Sequence, residues 1–559
     1  MDKFQMVAKT FQGLEEVLRD ELINLGAENV EIGKRMVQFE GDLAMMYKAN
    51  ICCRTALRIL KPIVKFTASN PDELYDAVRE IEWEKYMTPD STFSIDSTVT
   101  SADFTHSRFV TYRVKDGIVD HFNDICGRRP SIRLQDADVE LNVHISDNRV
   151  TISLDSSGEP LSKRGYKVEN TEAPINEVLA AGILLLTGWK GECPLADPMC
   201  GSGTFLIEAA LIAANINPGI YREKFAFEKW EDFDADLFEE IYNDDSGERE
   251  IDYPLIYGGD KDPEAVRIAR SNVRNAKVEK MVELSCRDLQ EWDENDREGI
   301  LVTNPPYGVR INPQSMSAKA FYRTLGTCLK ENFQNWDAWI IGLAEGFMQD
   351  IGLKPSMKYP LMNGGLECTL NEYVMFKGEY REFRAEGGVV KHQPRQEAPK
   401  IKRMSDREWE DEAKRFDGKS RKKDFDRNAR PKRDDKPFRS DRPKRDDKPF
   451  RSDRPKRDDK PFRSDRPKRD DKPFRSDRPK RDDKPFRSDR PRRDDKPFRS
   501  ERPKRDDKPF RSERPQRDEG PRQIFDRGPR LTDFVETRAP GKMRARKNAK
   551  RFSTNDDDE

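Results

Sequence analysis

The chain has 559 residues and a formal net charge of -1 at pH 7. Residues 401–559 carry 57 basic and 38 acidic side chains (net +19), whereas residues 1–400 carry 47 and 67 (net -20), and this asymmetry points to a polyanionic partner such as RNA or DNA. Eight cysteines without CxxC spacing and four scattered histidines argue against a structural metal site and a disulfide-stapled fold. With no apolar run long enough to span a bilayer, we expect a cytoplasmic protein without a metal or a membrane partner.

The periodicity of apolar residues predicts two small α+β units at the start of the chain. Residues 1–66 alternate strand and helix, with leucines at helical spacing between Leu14 and Leu25 and one extended stretch at residues 30–39. In residues 67–157 helices are predicted at 71–81 and 114–123, and strands at 92–97, 139–145 and 149–153, with a hairpin turn at Asp147-Asn148. The intervening segment TSADFTHSRFVTYRVKDGIVDHF mixes basic, hydroxyl and aromatic side chains, which suits phosphate and sugar contacts or a solvated loop.

A linker, residues 158–175, precedes a region with a different pattern. From residue 176 to residue 385, short apolar strands alternate with helical periods. Such alternation predicts an α/β domain built on a mainly parallel sheet, with a ligand at the carboxyl ends of the strands.

The last region, residues 386–559, has no apolar periodicity. The 12-residue unit PKRDDKPFRSDR occurs seven times over residues 431–514 with few changes, and each unit has five basic residues, three acidic residues and one Phe. A unit of this composition cannot bury a core, so the region is predicted to be a disordered tail. It is either an electrostatic tether for RNA or a solubilising extension.

The segment DPMCGSGTF has the chemistry of a cofactor loop. A strand ends at Asp197, and Gly201 and Gly203 allow a tight turn into a helix starting near Thr204. An acidic residue at the end of the strand favours a ligand with an amine or hydroxyls over a pyrophosphate, and S-adenosylmethionine supplies both. Any other Rossmann-like turn would look similar.

Two further acidic residues follow strands. Asp260 ends the next strand and is placed to accept hydrogen bonds from ribose hydroxyls, although helix capping is an alternative that suits Asp262 better. Asp288 follows the strand at 282–286 and is a candidate acceptor for an adenine amino group.

The segment TNPPYGVR is the most specific motif. Asn304, Pro305, Pro306 and Tyr307 are predicted to form a rigid loop at the end of a strand. The Asn304 side-chain oxygen and the Pro305 carbonyl would accept both N–H bonds of a conjugated base amine and direct its lone pair at a methyl group. Tyr307 would stack on a base flipped out of its helix. Methyl transfer needs positioning more than acid–base groups.

These segments, together with TISLDSSGEPLSKRGYKVENTEAPINEVLAAGIL, resemble one family over about residues 1–385. They are similar to THUMP-domain RNA methyltransferases with a Rossmann-like catalytic domain, of the bacterial large-subunit rRNA guanine-N2 type. The resemblance implies a ferredoxin-like domain (1–66), a THUMP domain (67–157) and a methyltransferase domain (176–385). It also implies S-adenosylmethionine as methyl donor and 23S rRNA, or a pre-50S particle, as substrate.

The resemblance assigns roles to the motif residues. Asp197, Gly201 and Gly203 would contact the methionine part of the donor, Asp260 its ribose and Asp288 its adenine. Asn304 would face both the donor and the target base, which Pro305, Pro306 and Tyr307 would hold. Some relatives carry a second methyltransferase domain, but residues 386–559 contain no second glycine loop or NPPY, so a single activity is expected.

Two other functions remain open at this point. Family members are often labelled N6-adenine-specific DNA methylases because of the NPPY motif, so adenine-N6 methylation of DNA or RNA is one alternative. A non-catalytic RNA-binding protein of ribosome assembly is the other.

Overall fold

The computed structural model describes residues 2–307, 318–378, 385 and 405–416, and these residues lie in one of two compact units. The other unit, residues 423–533, and with it the repeat region from residue 431, lies outside the described residues. Two sheets organise the described part. We call them the N-terminal sheet, of residues 4–155, and the C-terminal sheet, of residues 195–374.

The N-terminal region, residues 1–157, contains twelve of the described helices and strands. They are β1 (Phe4–Lys9), α1 (Glu15–Asn24), β2 (Glu28–Gly33), β3 (Met36–Gly41), α2 (Leu43–Cys52), β4 (Arg58–Thr67), α3 (Pro71–Arg79), β5 (Thr92–Thr100), α4 (Ser107–Cys126), β6 (Ser131–Ile132), β7 (Val139–Ser146) and β8 (Arg149–Asp155).

The two α+β units predicted for this region share a single sheet. Its strand order is β2-β3-β1-β4-β8-β7-β5-β6, and the predicted boundary at residues 66/67 falls inside β4. Strand β4 pairs with β1 on one side and with β8 on the other. The ferredoxin-like and THUMP parts are therefore joined by a continuous hydrogen-bond ladder.

Local predictions in this region differ in outcome. The Asp147-Asn148 hairpin turn is confirmed, because Ser146 pairs with Arg149 and Asp147 has a φ of +55°. The helix predicted at residues 114–123 is twice that length, so much of the preceding polar segment is helical rather than a loop. Residues 30–39, predicted as one extended stretch, form parts of two hairpin strands, β2 and β3.

The rest of the chain supplies the second sheet and its helices. They are α5 (Glu177–Thr187), β9 (Leu195–Asp197), α6 (Thr204–Ala213), α7 (Ala235–Tyr242), β10 (Ile256–Asp260), α8 (Pro263–Asn275), β11 (Val282–Cys286), β12 (Gly299–Thr303), α9 (Ala318–Asn332), β13 (Trp336–Leu343), β14 (Met357–Asn363), β15 (Leu366–Val374) and α10 (Asp406–Phe416).

The C-terminal sheet confirms the predicted Rossmann-like α/β architecture. Its strand order is β11-β10-β9-β12-β13-β15-β14, with parallel pairing from β11 to β13 and antiparallel pairing of β15 and β14. The chain runs outwards from β9 to β11 and then returns to β12 on the other side of β9. A crevice forms where the strand order reverses in this way, so the loops after β9 and β12 meet at the same point.

One segment contradicts the disorder predicted for residues 386–559. Residues Asp406–Phe416 form the helix α10, which packs against β4 of the N-terminal sheet. The prediction failed there because it relied on the composition of the whole region, whereas helix formation depends on the local spacing of apolar residues.

Within the described ranges, no helix combines the length and the hydrophobicity needed to cross a bilayer.

Candidate active site

The loop after β9 turns through two left-handed glycines. Gly201 has a φ of +52° and Gly203 a φ of +82°, a region that residues with a Cβ rarely adopt. A Cβ on Gly203 would also lie 3.2 Å from the Cβ of Ala269, so helix α8 approaches the loop closely. The predicted tight turn is confirmed, and α6 begins at Thr204.

Asp197 ends β9 and is almost fully buried, with 1% of its surface exposed. Its Oδ1 accepts hydrogen bonds from the Met199 amide (3.2 Å) and the Thr303 hydroxyl (2.7 Å). Burial raises the pKa of this carboxyl to about 7, and the nearby Asp260 adds to the rise. A buried acid of this kind favours a cationic partner, because a positive charge stabilises its ionised form.

Asp260 lies at the end of β10, beside β9, and its carboxylate is held by the backbone. Its Oδ2 accepts from the Gly201 amide at 3.1 Å and its Oδ1 from the Asp262 amide at 3.0 Å. Asp262, not Asp260, caps α8, since its carboxylate accepts from the Glu264 amide at 3.0 Å. The capping role proposed for Asp262 is therefore confirmed, and Asp260 stays a candidate for ligand contact.

Asp288 lies beyond the end of β11, and its Oδ1 accepts from the Gln290 amide at 3.0 Å. It is the N-cap of a short 3-10 helix at Leu289–Glu291. The strands β11, β10, β9 and β12 are neighbours, so four polar residues lie at or just after the ends of adjacent strands: Asp288, Asp260, Asp197 and Asn304. At a strand spacing of about 4.8 Å this edge extends over roughly 14 Å, which suits an elongated ligand.

The NPPY loop follows β12 directly. The Asn304 Oδ1 is buried and has no hydrogen-bond partner in the part of the chain that the structure describes. Pro305 is buried and Pro306 is exposed, and the Pro306 carbonyl accepts from the Tyr322 hydroxyl at 3.4 Å. A buried acceptor without a partner costs free energy, so Asn304 is suited to a donor that arrives with a ligand.

Tyr307 is partly buried, and its hydroxyl is tied to the β14–β15 hairpin. The Asn363 side-chain amide donates to it at 3.0 Å, and the Cys368 thiol lies 3.8 Å away. Burial raises the pKa of the Tyr307 phenol, so the ring stays neutral at physiological pH. Stacking of this ring on a base remains a prediction, and residues 308–317, which follow Tyr307 in the sequence, lie outside the described residues.

A buried polar cluster connects the N-terminal region to the helix that starts at the glycine loop. Glu208 on α6 accepts from the Arg164 Nε at 3.3 Å and from the Tyr166 hydroxyl at 2.9 Å. Arg164 also donates to the Arg54 carbonyl at 2.6 Å. The linker predicted at residues 158–175 is therefore packed between both parts of the molecule rather than being a solvated spacer.

Models of three known protein families match successive parts of the chain. A model described as an RMKL-like methyltransferase domain matches residues 164–372. A THUMP domain model matches residues 68–155, and an RlmL ferredoxin-like domain model matches residues 5–60. A Synechocystis sp. protein named "Putative RNA methyltransferase" is 37% identical over 370 residues, which cover 66% of this chain and 96% of that protein.

The chain belongs to the THUMP-domain RNA methyltransferase family. The ribosomal RNA large subunit methyltransferase K/L of Syntrophotalea carbinolica is 38% identical over 67% of this chain and 54% of that protein, so the chain spans about half the length of this relative. The solved structure of SMU.472, a methyltransferase complexed with S-adenosylhomocysteine, is 31% identical with a TM-score of 0.60, and the match covers 68% of this chain and 100% of that chain. The methyl donor of the family member described here is S-adenosylmethionine.

The residues at the strand ends fit this methyl donor. The buried Asp197 carboxyl suits the ammonium group of the methionine part, and the glycine loop lets the backbone approach it closely. Asp260 is an oriented carboxylate of the kind that accepts from ribose hydroxyls. The assignment of individual residues to parts of the donor stays a prediction, and for Asp288 it competes with helix capping.

Three residues of the site were not identified from the sequence. Thr303 connects the two motifs through Asp197, and Asn363 and Cys368 contact the Tyr307 hydroxyl. A hairpin signal was present nearby, since Gly364-Gly365 is a typical two-residue turn and it connects Asn363 to Leu366. The contact of Asn363 with a residue 56 positions earlier could not be inferred from that turn.

Proposed function

We propose that this chain transfers a methyl group from S-adenosylmethionine to the exocyclic N2 of a guanine in 23S rRNA, free or within a pre-50S particle. The observation that carries the proposal is the buried, unpartnered Oδ1 of Asn304 at the crevice between β9 and β12. It lies next to Thr303, whose hydroxyl donates to the Asp197 carboxyl.

The polarity of the site suits a base amine as acceptor. The lone pair of an exocyclic amine is conjugated with its ring, so the amine is a poor nucleophile. A hydrogen-bond acceptor that polarises its N–H bonds makes the nitrogen more nucleophilic. Asn304 supplies such an acceptor in a buried place, where a hydrogen bond is stronger than in water. When bound, S-adenosylmethionine supplies a sulfonium methyl that needs no acid catalysis. The residues of the chain therefore act by holding the amine in line and excluding water, and the amine proton leaves to solvent afterwards.

Three observations support RNA as the substrate. The THUMP model matches residues 68–155, and helix α4 of that domain exposes 50% of Phe109 and 55% of Tyr112 beside basic side chains. Aromatic and basic side chains together suit contact with bases and phosphates. The relatives bear names of RNA methyltransferases.

The choice of guanine N2 rests on the family resemblance. An NPPY loop serves any planar exocyclic amine, so adenine N6 is the competing acceptor. The relatives named for the large ribosomal subunit support rRNA as the substrate, and the guanine-N2 type is the one that the motifs resemble.

A nucleoside digest of rRNA tests the proposal. RNA from a strain lacking the gene, complemented with wild type or with Asn304→Ala, is digested and analysed by mass spectrometry. We expect one N2-methylguanine to disappear and to return only with wild type. Loss of N6-methyladenine with N2-methylguanine intact would show that the acceptor is adenine. An unchanged digest, together with no binding of S-adenosylmethionine in calorimetry, would show that the protein is not a methyltransferase.

A further inference from the structure

The helix α10 occupies the face of the N-terminal sheet that α4 leaves open. Val64 and Phe66 on β4 pack towards the core beneath α4, so the alternation of the strand directs Lys65 to the opposite face. On β8 the neighbouring residue Val150 belongs to the same core, so Arg149 also faces the side opposite to α4.

A buried ion pair holds the helix to that face. The Lys65 Nζ donates to the Glu412 Oε1 at 2.6 Å and to the Gln5 Oε1 at 2.7 Å. The Gln5 amide in turn donates to the same Glu412 oxygen at 2.7 Å, which closes a three-residue network. The side chains of the ion pair are only 5% (Lys65) and 10% (Glu412) exposed. Because 347 positions separate the two residues, this is a long-range contact rather than a local one.

Aromatic residues of α10 cover the two basic side chains. The Lys65 Nζ lies 4.7 Å from the Phe416 ring centroid and 5.6 Å from that of Trp409. The Arg149 guanidinium lies 5.6 Å from the Trp409 ring and donates to Asp406 at 2.6 Å. Cations over aromatic faces gain most when water is excluded, as it is around Lys65.

The start of α10 is built for helix formation. The Ser405 hydroxyl and amide donate to the Glu408 carboxylate at 2.9 and 2.8 Å, and the Glu408 amide donates back to Ser405 at 3.2 Å. This capping box satisfies backbone groups at the first turn. An isolated helix of 11 residues is nevertheless marginal in water, so the contacts with the sheet supply much of its stability.

The residues that follow α10 carry a large positive charge. Residues 417–559 contain 52 basic and 33 acidic side chains, a net charge of +19 that begins directly after Phe416. Meanwhile α10 leaves the exposed Phe109 and Tyr112 of α4 uncovered, because it lies on the other face of the sheet. Phe416 lies against Lys65 of the N-terminal sheet, so the basic extension begins in sequence at that sheet.

We propose that residues 405–416 are an intramolecular clasp that fixes the root of the basic C-terminal extension to the N-terminal sheet, so that extension and N-terminal region bind one RNA molecule. This inference rests on the proposed function only for the identity of RNA as the polyanion. Linking two binding surfaces turns the second contact into an intramolecular one and raises the affinity of the whole.

The first test measures the clasp in the full-length protein without RNA. Glu412→Gln removes the buried ion pair, whereas Glu410→Gln makes the same charge change at an exposed position of the same helix. We expect amide hydrogen exchange at residues 409–416 to be about tenfold faster in Glu412→Gln than in Glu410→Gln, with α4 unchanged in both. The exchanged pair Lys65→Glu with Glu412→Lys, which keeps the net charge, should recover part of the protection, because the ion pair returns while the cation–π contacts of Lys65 are lost. Equal exchange in the two single variants would overturn the clasp.

The second test measures affinity for a short single-stranded RNA of mixed sequence. We expect Glu412→Gln to bind about tenfold more weakly than Glu410→Gln and with a shallower dependence on salt. Equal affinity would overturn the link to RNA, and tighter binding by Glu412→Gln would show instead that α10 masks an RNA surface. Neither test involves methyl transfer, so its outcome is independent of whether guanine N2 is the acceptor.

Discussion

The two sheets of the molecule use buried polar side chains in opposite ways. At the edge of the C-terminal sheet, the described residues offer no hydrogen-bond partner to the buried Asn304 Oδ1 and no cation to the buried acid Asp197. On the N-terminal sheet and at the junction of its region with α6, buried charges face opposite charges of the same chain, as in Lys65–Glu412 and Arg164–Glu208. The first arrangement is suited to binding, and the second holds parts of the chain together. Substitutions in the two places should therefore affect different measurements.

The largest effect is expected where a buried charge pair holds two parts together. Glu208→Gln leaves the buried Arg164 without its counter-charge and should lower the free energy of unfolding by about 3–5 kcal/mol. Tyr166→Phe, which removes one hydrogen bond to the same carboxylate, should cost about 1 kcal/mol. Chemical denaturation measures both. Equal small losses in the two variants would mean that the pair adds nothing beyond a hydrogen bond.

Asn304→Ala tests the opposite kind of site. Removing the acceptor should lower kcat by about 10²–10³-fold, an effect comparable to the loss of one preorganised hydrogen-bonding group, while stability changes little. Single-turnover methylation and thermal unfolding provide the two readouts. Cofactor affinity, measured by calorimetry, should stay nearly unchanged because the main partner of Asn304 is the target amine. Retained activity would contradict the role proposed for this residue.

Asp197→Asn removes the charge but keeps an oxygen for the Thr303 hydroxyl. We expect cofactor affinity to fall by about 10–100-fold, the loss typical of a charge-assisted hydrogen bond. The pKa of about 7 adds a pH dependence, because the carboxyl is protonated below this value and then attracts an ammonium group less strongly. Calorimetry should show wild-type affinity rising as pH increases towards 7. A rise of the same size in Asp197→Asn would assign the pH dependence to another group.

The smallest effect is expected at Asn363, which contacts Tyr307. Asn363→Ala removes one neutral hydrogen bond to the phenol and should lower kcat/KM by about 3–10-fold. If Asn363 positions the ring for the base, KM for RNA should change while KM for the cofactor does not. Steady-state kinetics with each substrate varied separates the two, and an equal change in both would indicate a general structural role.

The motifs at the C-terminal sheet could be predicted because their chemistry is local. A strand, a glycine turn and a helix lie within 19 residues, and glycine permits the positive φ values observed at Gly201 and Gly203. That Asp197 and Asn304 lie together also follows from the rule that loops meet where the strand order reverses. The hydrogen bond from Thr303 to Asp197 could not be predicted, since it depends on the register of two strands 106 positions apart.

The features of the N-terminal sheet were harder to predict because they depend on distant pairing. Nothing in residues 58–67 shows that this strand will pair with residues 149–155. Helix α10 does have a local sequence pattern typical of a helix. Trp409, Ala413 and Phe416 have helical spacing, and the box formed by Ser405 and Glu408 precedes them. That signal was lost in the average composition of the long polar region around it.

The continuous N-terminal sheet has a consequence for building chimeric enzymes. Modules joined by a loop can be exchanged at the loop, but here the ferredoxin-like and THUMP parts meet inside one strand, β4. A recombination point at residues 66/67 would cut a hydrogen-bonded ladder and expose two new strand edges, which promote aggregation. Residues 1–157 therefore have to be transplanted together, with the junction placed after β8, and α10 has to accompany them because it packs against β4.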